Sequence, residues 1–216
     1  VCPSIDVRNQ IVAFEQLANC TVIEGSLQIL LIEHAEASAY DTLFFPNLVE
    51  ITDYLLLYRV YGLRTLSHIF PNLSVIRGQQ LFFNYALVIF EMPSFENLGL
   101  SSLTRIVRGA VRIEKNSALC YLNTVNWQWV TAVKPEDHFI MENRDNMVGE
   151  CVNLCPKGHS KQPQCPTMEI RYDNGVVYHQ PLCWDMNHCQ KGQYLLLPPP
   201  PSSSLLLFGL LPITVN

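Results

Sequence analysis

Apolar and polar positions along this chain follow a repeat. Phe45-Pro46-Asn47-Leu48-x-x-Ile51 returns as Phe70-Pro71-Asn72-Leu73-x-x-Ile76, and a looser copy, Phe95-Glu96-Asn97-Leu98, follows. The spacing is about 25 residues each time, which is the signature of a stacked solenoid whose turns hide their apolar sides only against one another. Leu17-Ala18-Asn19-Cys20-x-x-Ile23 is a fainter copy, and Gly-Leu-x-x-Leu recurs from Gly62 and from Gly99. Short strands are predicted between the turn signals: Leu27–Leu31, Tyr54–Tyr58, Leu81–Phe83 and Val111–Glu114. Stacked at equivalent points, they form a parallel sheet down one side of a coil. Corners fall at Glu24-Gly25, Asp53, Arg77-Gly78 and Arg108-Gly109, and the glycines there suggest a positive φ or a tight bend. Phe70 to Glu91 holds one complete turn, with strands expected at Leu81–Asn84 and Ala86–Glu91. Successive strand residues point to opposite faces, so Phe82 and Phe83 are not both core.

A solenoid needs capped ends. Ser4 to Leu17 reads as a loop leading into a short helix, and Leu119 to Val133, with Trp127 and Trp129, as a mixed cap over the last turn. From Cys151 to Lys191 the periodicity stops and Cys, Pro, Gly and Asn take over. That stretch is too short to build a core of its own and reads as a small disulfide-held module. From Tyr194 the chain is Pro-, Ser- and Leu-rich, and it is expected to be disordered, since four successive prolines continue neither helix nor central strand. The expected division is therefore 1–150 (coil), 151–191 (cysteine module) and 192–216 (tail).

Composition narrows the functional classes. Hydrophobic residues make up 49% and charged residues 15% of the 216 residues, so the chain is core-rich. A net charge of −5 with no basic run argues against nucleic acid. The longest apolar run, Leu205 to Leu211, is far short of the roughly 20 residues a spanning helix needs, so no membrane insertion is expected. No charged-then-apolar leader opens the chain. The small residues Ser202 to Ser204 before an apolar stretch lack the polar spacer of a lipid-anchor signal. Eight cysteines, five of them beyond residue 150, read as a disulfide framework in an oxidising compartment. The zinc alternative is disfavoured, because Cys151-x-x-x-Cys155 has no matching second pair. Sequons at Asn19 and Asn72 agree with a secretory route. No cofactor or metal is expected, and the six histidines form no i, i+4 pair.

Several stretches in register carry a resemblance. They are Asn19-Cys20-Thr21-Val22-Ile23-Glu24-Gly25, Ile51-Thr52-Asp53-Tyr54-Leu55-Leu56-Leu57, Phe70 through Gly78, Asn84 through Glu91, Arg108 through Asn116, and Cys183-Trp184 with His188-Cys189-Gln190-Lys191. Residues 1 to about 191 resemble the first extracellular L domain of the insulin receptor and insulin-like growth factor receptor family, followed by the start of its furin-like cysteine-rich region. The resemblance implies a right-handed β-helix of leucine-rich-like turns with short capping helices, β-rich overall and α/β by leucine-rich-repeat count. It implies an extracellular module that binds an insulin-like peptide hormone, within a receptor homodimer, on the sheet face. By matching position, the hormone face comprises Asp6, Arg8, Asn9, Gln28, Leu30, Leu31, Tyr58, Arg59, Phe82, Phe83, Asn84, Phe90, Glu91, Arg112, Glu114 and Lys115. It further implies the disulfides Cys2–Cys20, Cys120–Cys151, Cys155–Cys183 and Cys165–Cys189, which spacing alone could not choose among 105 pairings.

For Leu30, Leu31, Tyr58 and Phe90 the residues alone leave core packing and contact equally open, and Glu114 with Lys115 reads equally well as a mutual surface pair. Glu33 and Tyr58 depart from the residues usual in the family, and Glu33 to Leu43 is irregular. No Gly-rich loop, H-R-D or D-F-G is present, so a kinase activity is excluded. Two other readings stand beside the receptor piece. One is a secreted decoy that sequesters insulin-like peptides. The other, a β-helix polysaccharide enzyme, suffers from carboxylates (Asp6, Glu91, Glu114) scattered among aromatics.

Overall fold

Successive turns of the repeat pair in parallel, strand on strand. The computed structural model describes residues 1–158 and 165–191; the tail 192–216 lies outside the described residues. In chain order the strands are β1 (Cys2–Arg8), β2 (Val22–Ile32), β3 (Glu50–Ile51), β4 (Leu55–Val60), β5 (Val75–Ile76), β6 (Tyr85–Phe90), β7 (Arg105–Ile106), β8 (Ala110–Glu114), β9 (Phe139–Met141), β10 (Thr167–Arg171) and β11 (Val177–Pro181). One α-helix, α1 (Trp127–Val130), and four 3₁₀ segments complete the elements.

The eleven-residue β2 turns the corner of the coil. Its first residues, Val22 and Ile23, pair with β3, and the order continues through β5 to β7. Beyond Gly25, β2 pairs with β1 on one side and β4 on the other, and the wall continues through β6 and β8 to β9. The coil thus has a narrow wall of two-residue strands and a broad wall of longer ones. Inward ladders fill the space between them. Val7, Ile29, Leu57, Ile89, Ile113 and Ile140 stand in register across the broad wall, and Ile23, Ile51, Ile76 and Ile106 across the narrow one. All but Ile140 are fully enclosed, each such side chain stabilising by about 1.5–3 kcal/mol.

The turns are unequal. The ladder steps from Leu27 to Leu55 to Leu87 to Val111, so the regular Phe-Pro-Asn-Leu spacing does not set the whole turn. The long step contains Leu81 to Asn84, which is not a ladder strand. Phe82 and Tyr85 instead exchange backbone hydrogen bonds of 3.0 Å each way across a tight turn, with Phe83 at φ 55°. The expected loop before the first helix is likewise β1, bound edge-on to β2, and the segment after it is a 3₁₀ turn at Ile11–Leu17. The corner at Gly78 does require glycine: φ is 68°, and an added Cβ would lie 2.0 Å from the Arg108 carbonyl oxygen.

Four disulfides join Cys2–Cys20, Cys120–Cys151, Cys155–Cys183 and Cys165–Cys189. Cys151 and Cys155, the pair weighed for zinc, each bond elsewhere. In the cysteine module β10 and β11 form an exposed antiparallel hairpin. The module also sends Trp184 into the main core, 1% exposed. Its ring meets Trp127 edge-on at 6.0 Å, so the end of the coil is closed by both residues. Asn126 caps α1 by accepting from the Gln128 amide, and it exchanges two hydrogen bonds with the side chain of Gln190.

Candidate functional site

The outward positions of the broad wall form two rows. Strand register puts Asp6, Gln28, Leu56, Val88, Arg112 and Phe139 in the first, and Arg8, Leu30, Tyr58, Phe90, Glu114 and Met141 in the second. Leu30, Leu56 and Val88 make an apolar cluster separate from the main core, walled by Leu31, Tyr54, Tyr58, Phe82, Tyr85 and Phe90. The three, with Tyr58, Phe82 and Phe90 and with Gln28 and Arg112, line a groove of about 400 Å³. Leu30, Tyr58 and Phe90 therefore belong to the outer face and not to the core.

A third row explains how consecutive residues share this face. Asn9, Leu31, Arg59, Glu91, Lys115 and Glu142 each follow a second-row residue, and each has a positive φ between 49° and 66°. A left-handed residue interrupts the alternation of a strand and re-aims its side chain. The contacts bear this out. Arg59 donates to Glu91 at 2.6 Å and lies 5.1 Å from the Tyr58 ring centroid, and Lys115 Nζ lies 5.5 Å from that of Phe90. After all but Asn9 the next residue turns inward again (Ile32, Val60, Met92, Asn116 and Asn143), and two of these are buried asparagines. Asn116 accepts from the Met92 amide and donates to the Ile89 carbonyl and to Asn143 Oδ1. Asn143 donates to the carbonyls of Ile113 and Met141. These side chains satisfy the backbone that the kink frees.

Charges frame the groove as close pairs. Arg8 meets Asp6 at 2.8 Å, and Arg112 meets Glu114 at 2.6 Å. Lys115 is only 3.9 Å from Glu114, so Glu114 belongs chiefly to Arg112. The Glu91 carboxylate raises the Arg59 guanidinium pKa above its ordinary value by hydrogen bonding and by charge. Arg112 also lies over three rings, those of Tyr85, Phe90 and Phe139, with centroid distances of 5.3–5.9 Å. Each carboxylate weighed for sugar chemistry (Asp6, Glu91, Glu114) is thus neutralised by an arginine, an arrangement unlike an acid and base held ready for proton transfer. Cys120, Asp145 and Cys151 lie together, but both sulfurs are in a disulfide and offer no thiolate.

At one end of the groove, the Phe82 ring lies tilted against Tyr54 at 5.8 Å and meets Phe83 edge-on at 5.1 Å. Phe83 is 80% exposed. Asn84, also exposed, accepts the Ala110 amide on its carbonyl. The turn therefore presents both rings outward, and neither enters the core.

The residues expected on the face fall into these rows and this turn. Leu56, Val88, Tyr54, Tyr85, Phe139 and Met141 share it and were missed. Leu56 and Val88 are aliphatic within aliphatic runs, so only the strand register distinguishes them. Asn19 and Asn72 are exposed, and Asn72 donates to the Pro46 carbonyl at 2.9 Å. Among the described residues no helix is long and apolar enough to cross a membrane.

Comparison with known proteins identifies the family of the coil. The model of the receptor L domain family matches residues 19–131. An insulin-like peptide receptor of Branchiostoma lanceolatum is 53% identical over 191 residues, which is 88% of this chain and 13% of that protein. The insulin receptor of Xenopus laevis is 49% identical over 191 residues, and its insulin-like growth factor 1 receptor 50% over 192; each alignment covers 88% of this chain and 14% of the relative. The chain therefore spans only 13–14% of the length of these relatives. The match lies on the L-domain stretch, and the chain carries no kinase domain.

Proposed function

The chain belongs to the receptor L domain family, and from that premise we propose that it is an extracellular module that binds an insulin-like peptide hormone on its broad wall. The observation that carries this reading is the outward apolar strip of Leu30, Leu56 and Val88, separate from the core and rimmed by Tyr58, Phe82 and Phe90. The strip itself is nearly covered, with Leu30 and Leu56 7% and Val88 2% exposed. It seats the half-buried rings of Tyr58, Phe82 and Phe90 outside the core, and that aromatic rim is the apolar surface a partner would meet. Phe83 supplies a ready aromatic anchor, and the paired charges around the groove favour one register of the partner over others. The contact set is Asp6, Arg8, Asn9, Gln28, Leu30, Leu31, Tyr58, Arg59, Phe82, Phe83, Asn84, Phe90, Glu91, Arg112, Glu114 and Lys115.

The same reading takes the coil as right-handed, residues 1–150 as the L domain, and 151–191 as the opening of a cysteine-rich region. It takes the whole as part of a dimeric receptor glycosylated at Asn19 and Asn72. Titration of the isotope-labelled chain with an insulin-like peptide tests it. Amide signals of Leu30, Tyr58 and Phe90 should shift together, while those of β10 and β11 stay still. Perturbation confined to other surfaces, or none at saturating peptide, would overturn the assignment.

A further inference from the structure

Where the edge strand of the broad wall begins, just ahead of the β8–β9 ladder, one backbone amide is held by an imidazole. The Val111 amide of β8 donates to His138 Nδ1 at 3.1 Å, in place of a backbone carbonyl on the neighbouring segment. His138 therefore carries its proton on Nε2, and that nitrogen is enclosed and meets no acceptor among the described residues. The next residue on each strand belongs to the face: Arg112 follows Val111, Phe139 follows His138, and the two are register partners. The guanidinium of Arg112 stacks on Phe139 at 5.3 Å.

A second proton on this ring would have to go on Nδ1. The imidazolium would then point an N–H at the Val111 N–H, with its charge enclosed beside Trp127, whose ring centroid is 6.4 Å away. The surroundings do little to offset this. The α1 segment, Trp-Gln-Trp-Val, brings no charge. β8 brings Arg112 and Glu114, which are paired with each other. Asp185 follows Trp184 and is hydrogen-bonded to His188. On its own segment Lys134 and Glu136 lie 4.0 Å apart, and Asp137 alone favours the cation. Burial outweighs that influence, and the His138 pKa lies below its ordinary value.

We propose that His138 is an acid-sensitive latch on the binding face: its protonation breaks the Val111 hydrogen bond, frees β9 from β8, and withdraws Phe139 from Arg112, loosening the hold on a bound peptide. This rests on the function proposed above and adds its regulation by pH.

Nuclear magnetic resonance of the whole chain between about pH 7.5 and about pH 5, the interval in which histidines switch, tests the latch without any ligand. The Val111 amide should lose exchange protection, and the Phe139 ring signals should move, with one midpoint shared with the His138 ring. In His138→Asn, whose side-chain oxygen also accepts a hydrogen bond, both changes should vanish. A Val111 amide that stays protected across the range, or that responds equally in the variant, overturns the proposal. The second arm measures affinity for an insulin-like growth factor peptide at both ends of the range. A several-fold loss on acidification that is clearly reduced in His138→Asn supports coupling to the face; an equal loss in both proteins overturns it. If the peptide binds at neither pH, the function proposed above fails, and the Val111 and Phe139 signals alone decide whether the latch exists.

Discussion

Leu31, Arg59, Glu91 and Lys115 hold a backbone conformation that non-glycine residues avoid. Each costs roughly 1 kcal/mol or more, and the cost recurs on neighbouring turns. What it achieves is a third outward row beside two ordinary ones, so a narrow strand presents adjacent side chains on one face. Lys115 tests this most cleanly, because its ion pair is long at 3.9 Å. Lys115→Ile should lower unfolding free energy by about 1–2 kcal/mol, since branching at Cβ worsens the left-handed clash. Lys115→Gly should stay within about 1 kcal/mol of the parent, with urea denaturation as the measure. Phe83 lies at the opposite limit. It is 80% exposed, so Phe83→Ala should leave the melting transition in place. Peptide affinity should nonetheless fall by about 1–4 kcal/mol, as for an aromatic anchor, in a calorimetric titration; unchanged affinity would show that the turn is not part of the contact. Asn116 is a structural counterpart with 0% exposure. Asn116→Leu leaves the Met92 amide and Ile89 carbonyl unmet and should cost about 2–4 kcal/mol.

At the scale of elements, the strands that stack were legible because their inward residues repeat: Ile23, Ile51 and Ile76 sit six residues after Leu17, Phe45 and Phe70. The fourth turn keeps this spacing from Leu100 to Ile106 and not from Phe95, so the looser copy Phe95-Glu96-Asn97-Leu98 is out of step with the stacking. The outer face was legible only in part. Leu55-Leu56-Leu57 and Leu87-Val88-Ile89 carry no alternation, because the outward residue of each trio is also apolar and packs in a second cluster beneath the aromatic rim. Leu81 to Asn84 has strand composition but turns back on itself, since Phe82 finds its backbone partner at Tyr85. Asn116 and Asn143 gave no signal, because an asparagine that caps a buried kink looks like any loop asparagine. The module boundary misled in a similar way. Cysteine spacing separates 151–191 from the coil, yet Trp184 is among the largest fully buried side chains of the coil's core. Trp184→Ala should therefore cost about 3–5 kcal/mol in the same cooperative transition that unfolds the repeats. Two separate transitions, with the main one unmoved, would show that the module folds apart from the coil.

Over the whole molecule, the carboxylates around the groove are each paired with an arginine, Asp6 and Glu91 at the surface, where such pairs contribute little, and Glu114 in a buried position. A half-buried neutral base gives acid a separate way to act on the fold. His138 is that base. Burial holds its folded-state pKa below the ordinary histidine value of 6.5, with Asp137 opposing more weakly. The unfolded chain then binds a proton at a higher pH than the folded one. Stability is therefore fully present above pH 6.5 and is lost as pH falls from 6.5 toward the folded-state value. Urea midpoints measured at about pH 7.5 and about pH 5.5 should differ in this sense for the parent. The difference should shrink in His138→Asn, which keeps an acceptor for the Val111 amide but does not titrate in this range. His188, which shares a hydrogen bond with Asp185 at 2.8 Å, provides the internal comparison. It holds no amide of the broad wall, so His188→Asn should leave the acid loss in place. An equal reduction in both variants would mean that the loss comes from general charge build-up and not from the imidazole beneath the edge strand.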